Sequence, residues 1–70
     1  MTDTGQSSAK TWLYRFLGPD GAEIEARDLD GDGTAESYAR ELSKARQIPV
    51  TVQRHDHVNW EYLSEADERD

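Results

Sequence analysis

Along residues 11–17, TWLYRFL, a period of two sets Trp12, Tyr14 and Phe16 on one side and Leu13, Arg15 and Leu17 on the other. That period is the mark of a half-buried β-strand. GPDG follows at 18–21, with proline at the second turn position and glycine at the fourth. AEIEAR then alternates strictly, Ala22, Ile24 and Ala26 against Glu23, Glu25 and Arg27. Two alternating runs joined by a turn predict a β-hairpin.

The period changes after residue 33. Ala35, Tyr38, Ala39, Leu42 and Ala45 recur at helical spacing, with Ile48 just beyond. Acids precede or open this stretch, while Arg40, Lys44 and Arg46 fill its second half, an order that complements the helix macrodipole. Alternation returns in IPVTVQR, where Pro49 stands at a strand start and Val50 and Val52 oppose Thr51 and Gln53. HDH at 55–57 predicts a turn, and VNWEYL sets Val58, Trp60 and Tyr62 against Asn59, Glu61 and Leu63.

The pattern predicts an α+β domain of ββαββ order, a four-stranded, mostly antiparallel sheet with a single helix packed on one face. The helix should cover Trp12, Tyr14, Phe16, Ile24, Val50, Val52 and Trp60. The opposite face should stay open and carry Leu13, Arg15, Leu17, Glu23, Glu25, Arg27, Thr51, Gln53, Asn59, Glu61 and Leu63. The small, polar, aperiodic residues 1–10 predict a disordered tail. The domain is expected over 11–63, followed by an acidic disordered tail over 64–70.

Composition narrows the functional classes. A chain of 70 residues makes one domain at most, and a core of that size supplies roughly 3–5 kcal/mol without a staple or partner. With Cys 0, neither a disulfide framework nor a thiolate metal site is available. A net charge of −7 argues against direct nucleic-acid or anionic-membrane binding. With no apolar span or leader-like segment, the expected location is cytoplasmic.

The densest chemistry is RDLDGDGTAES, residues 27–37. Asp28, Asp30 and Asp32 stand at the first, third and fifth positions of a calcium loop, Gly33 at the sixth and Glu36 at the ninth. Ala39 stands at the twelfth, where such a loop places a bidentate glutamate, and a strand-like run precedes the loop instead of a helix. A weak Ca²⁺ site built from Asp28, Asp30, Asp32 and Glu36 is therefore a secondary expectation. The first is that Gly31 and Gly33 turn the chain and that Asp32 or Thr34 caps the helix. His55 and His57, with Glu61, make a lesser zinc candidate.

No spacing suggests a Ser–His–acid constellation, and paired carboxylates such as Glu23 and Glu25 are expected on an exposed strand. The reading is a non-enzymatic protein-interaction module without a cofactor. It binds an unidentified protein partner, or a second copy as a homodimer, through an edge strand or the open face at Leu13, Arg15, Leu17, Glu23, Glu25, Gln53, Glu61 and Leu63. The alternatives are the weak Ca²⁺ module and an acidic mimic of nucleic acid that inhibits a basic protein.

Overall fold

The computed structural model describes residues 11–69. It contains β1 (Trp12–Leu17), β2 (Glu23–Leu29), α1 (Asp32–Arg46), β3 (Val50–His55) and β4 (Trp60–Ala66). The strands form one sheet in the order β2-β1-β3-β4, with every neighbouring pair antiparallel. This is the ββαββ architecture expected from the periodicity. β2 and β3 point the same way with β1 between them, and α1 makes the crossover. The expected tail at 1–10 lies outside the described residues. At the other end, β4 continues past Leu63 to Ala66, whose side chain is buried in the core.

The first turn closes as its residues dictate. Gly21 N–H donates to the Gly18 carbonyl at 2.9 Å, and the Asp20 carboxylate accepts from Ala22 N–H at 3.1 Å. Gly21 holds φ 83°, a region that disfavours any Cβ.

The core is compact in chemistry as well as size. Tyr14, Phe16, Val50 and Val52 from the sheet meet Ala35 and Ala39 from α1, with Ile24, Leu29, Tyr38, Leu42, Ile48 and Leu63 packed around them. The two alanines let the helix approach the sheet closely, and it lies mainly across β3 and β4. The Phe16 and Tyr38 rings meet at 5.0 Å with a 59° tilt, a favoured aromatic geometry.

Two β-bulges alter the faces. The β1–β2 register shifts between Phe16 and Leu17, so Ile24 is the extra residue of β2. The β3–β4 register shifts between Val52 and Gln53, so Leu63 is the extra residue of β4. An extra residue inverts the in–out alternation on one side of it. Several face assignments made from simple alternation are corrected as a result. Trp60 lies on the open face, not under the helix, because it pairs with His55. Glu25 and Arg27 lie on the helix side, where Tyr38 donates its hydroxyl to Glu25 Oε2 at 2.6 Å and the Arg27 guanidinium sits 4.7 Å from the Tyr38 ring centre. Leu63 packs against the core, and Glu61 reaches Arg54 on the helix side. Asn59 precedes β4 and lies outside the sheet.

The helix start differs from the expected cap. Gly31 is the N-cap residue with extended backbone, φ 173°, and makes no side-chain cap hydrogen bond. Asp30 instead accepts from the Thr34 hydroxyl at 2.6 Å. Asp32, the first helical residue, places its charge against the positive helix end. Neither Gly31 nor Gly33 lies in the left-handed region that favours glycine, and a Cβ at either position would meet nothing within 4 Å. The requirement for glycine inferred from the sequence is therefore absent at both. Gly33→Ala is expected to stabilise the domain by roughly 0.5–1 kcal/mol, because Gly33 lies inside the first helical turn. Urea unfolding midpoints of the two chains check this; a lower midpoint for the alanine variant contradicts it.

Candidate functional site

The register places the open face on a grid of rows running across the strands in the order β2, β1, β3, β4. The central row is Ala26, Arg15, Gln53 and Tyr62. One flanking row is Glu23, Leu17, Thr51 and Glu65. The other, continuing the β1–β3 register one step beyond Tyr14–Arg54, is Asp28, Leu13, His55 and Trp60. Carboxylates thus stand at three corners and the Trp60 indole at the fourth.

The interior of this grid is tied together by one arginine. Arg15 Nε donates to Gln53 Oε1 at 2.6 Å, which lays the side chain across β3. Its guanidinium then sits 4.4 Å from the Trp60 ring centre, a cation–π contact. His55 meets the indole edge-on at 4.9 Å. Tyr62, in the same row as Arg15, is 67% exposed, and Leu13 is 38% exposed. Leu17, expected among the exposed apolar residues, is buried. Tyr, Trp and Arg are the residue types that most often dominate binding energy at protein interfaces. Here Trp60 and Arg15 hold one another in place, so little side-chain freedom is left to lose on contact.

Of the residues expected on the binding face, the structure brings Leu13, Arg15, Leu17, Glu23 and Gln53 together and turns Glu25, Glu61 and Leu63 away. Trp60, Tyr62, His55, Asp28 and Glu65 belong to the face and were missed as members of it. No sequence signal announces the bulge at Leu63, and one slipped residue was enough to hide the two aromatics.

The other side of the sheet carries a polar cluster at the helix start. Arg54 Nη1 donates to both Asp32 carboxylate oxygens, at 3.0 and 3.1 Å. The Tyr14 hydroxyl donates to Asp32 Oδ1 at 2.8 Å. Arg54 Nη2 also lies 3.6 Å from Glu61. Trp12, Asp30, Gly31, Asp32 and Arg54 line a shallow cleft of about 280 Å³ here. Burial first, and then the hydrogen bond to Asp32, push the Tyr14 phenol up from 10.0 to about 12. Tyr38 is likewise raised, chiefly by its hydrogen bond to Glu25.

The Tyr14 shift has an alkaline consequence. The unfolded chain releases this proton at about pH 10 and the folded chain at about 12, so between those values the folded state binds more protons. Stability contributed by the protonated phenol is present below pH 10 and is lost as pH rises through 12. Alkaline unfolding should therefore steepen across that window in the native chain and flatten in Tyr14→Phe. Identical alkaline profiles would contradict the assignment.

The aspartates of the loop point to separate tasks. Asp28 lies within β2 on the open face, Asp30 is bonded to Thr34, and Asp32 has both oxygens engaged by Arg54 and Tyr14. Glu36 lines a separate groove with Arg40 and residues 64–68, Glu65 among them. The structure does not converge the four residues expected at a Ca²⁺ site. Among the described residues no group of three or more His, Cys, Asp or Glu side chains is placed to hold a metal ion. In the last hairpin, Asp56 accepts from Val58 N–H at 3.0 Å and Asn59 N–H at 2.7 Å. Those backbone bonds hold its carboxyl below the usual range. His55 Nδ1 accepts from His57 N–H at 3.2 Å, so that ring is fixed by the turn and by Trp60.

Among the described residues no helix is long and apolar enough to cross a membrane. Comparison with protein-family models, with curated proteins and with solved structures found no match to this chain.

Proposed function

We propose that this chain is a small non-enzymatic protein-interaction module whose open sheet face receives a partner protein. The observation that carries this reading is the Arg15–Trp60 stack with Tyr62 and Leu13 beside it on a face that the only helix of the described residues does not cover. Burying Tyr62 and Leu13 contributes by the ordinary hydrophobic route, about 25 cal/mol per Å² of apolar surface removed from water, before the costs of association. The aromatic and guanidinium planes supply orientation. On the helix side, Asp32, Arg54, Glu61, Glu25 and Arg27 satisfy one another within the fold, which favours a structural role for them.

Site-specific photocrosslinking tests the face. A benzophenone side chain replacing Tyr62 should yield a discrete adduct on irradiation in an extract of the native host. The same group replacing Glu41, exposed on the helix, should not yield that adduct. Equal labelling from both positions, or none from position 62, overturns the reading.

A further inference from the structure

We infer that the partner segment received by the open face is cationic, a polypeptide stretch bearing lysines or arginines spaced by apolar residues. The inference rests on the open-face reading and adds the partner's chemistry. Its basis is the placement of charge on the grid. Asp28 and Glu23 mark the two ends of the face along β2, and Glu65 marks one end along β4. All three are exposed. Arg15 is the arginine among them, and its guanidinium is already engaged with Gln53 and Trp60.

The face therefore offers apolar and aromatic surface at Leu13, Tyr62 and Trp60 around the Arg15–Gln53 pair, and the carboxylates at its other three corners make no ion pair among the described residues. A segment whose apolar side chains rest on Tyr62 and Leu13 can send cations outward to Asp28, Glu23 and Glu65. The same arrangement disfavours the other occupants. A second copy would bring three further carboxylates against these, and two chains each of net charge −7 repel as they approach. A nucleic acid would find aromatic surface but would set its phosphates against the corners. Residues 1–10 carry one lysine against one aspartate, so they do not supply the matching cations.

The test uses the full chain and a synthetic ten-residue peptide with three arginines spaced by leucine and serine. A control peptide carries glutamine at each arginine. Amide shifts are followed by NMR at low and at physiological salt. The expected shifts fall on residues 13–17, 23–28, 51–55 and 60–65. The triple variant E23Q/D28N/E65Q should bind at least tenfold more weakly, while E36Q/E41Q on the helix side should bind like the native chain. Affinity should fall as salt rises, as expected for exposed charges. Equal binding by the triple variant or by the glutamine peptide overturns the cationic assignment; with shifts still on the face, the open-face reading survives. Shifts centred on the helix overturn both. Absence of any shift overturns the cationic assignment alone, and the crosslinking result at position 62 then decides the face.

Discussion

Phe16→Ala is expected to leave the chain unfolded at 25 °C. Phe16 is fully buried, at the centre of the cluster formed by Tyr14, Val50, Val52, Ala35 and Ala39, and it meets the Tyr38 ring. Truncation of a core phenylalanine costs about 3–5 kcal/mol. A domain of this size has roughly that much stability in total, so the loss consumes it. Ala35 and Ala39, the helix residues buried in that cluster, are too small to collapse into the space. Far-UV circular dichroism should show the helix signal lost and no cooperative urea transition. Leu13→Ala, on the opposite face and 38% exposed, should retain a transition with a midpoint near that of the native chain. A native-like transition in Phe16→Ala would show that the helix and sheet are held by something other than this core.

Ser43→Ala is expected to produce the next largest loss. Ser43 is fully buried, and its hydroxyl does two jobs at once. It donates to the Ile48 carbonyl at 2.6 Å and accepts from Glu68 N–H at 2.7 Å. One side chain thus ties the end of α1 to the start of β3 and to the segment after β4. Removing it strands two partly buried backbone groups, the Ile48 carbonyl and the Glu68 N–H, at roughly 1–3 kcal/mol. The urea midpoint should drop accordingly, and the Glu68 amide should exchange with solvent much faster than in the native chain. Ser37→Ala, an exposed position on the same helix, should change stability by less than about 0.5 kcal/mol. Unchanged exchange at Glu68 in the Ser43 variant would contradict the role assigned to the hydroxyl.

These two positions illustrate what can be read from a sequence of this kind. Phe16 was legible because a period of two over 12–16 and a period of 3.6 over 35–45 left one consistent way to bury both stripes. The order of elements and the fold class followed from the same reasoning. Ser43 was not singled out, although it continues the four-residue step of Ala35 and Ala39. A polar residue on an apolar stripe is a sign of an internal hydrogen bond, but its partners at 48 and 68 are set by tertiary placement.

The face assignments failed for a single physical reason. Alternation carries side-chain direction only as far as the register is unbroken. Ile24 and Leu63 each add one residue, so β2 beyond Ile24 and β4 before Leu63 present the opposite set from the one simple counting gives. Leu63 gains the core by that slip, and Trp60 and Tyr62 are turned outward. The aspartate stretch misled in another way. Its spacing resembles a ligand loop, yet β2 runs on through Asp28, and Asp32 is drawn away by Arg54 from 22 positions further along the chain. That ion pair leaves no trace in local sequence.

In the proposed function Tyr62 and Leu13 bind the partner while contributing little to folding. The most direct measurement pairs thermal stability with partner capture for the double variant L13S/Y62S. The expected result is a melting midpoint within a few degrees of the native chain, together with loss of the protein that the position-62 crosslinker labels. Capture of that protein undiminished by the double variant, with the fold intact, would contradict it.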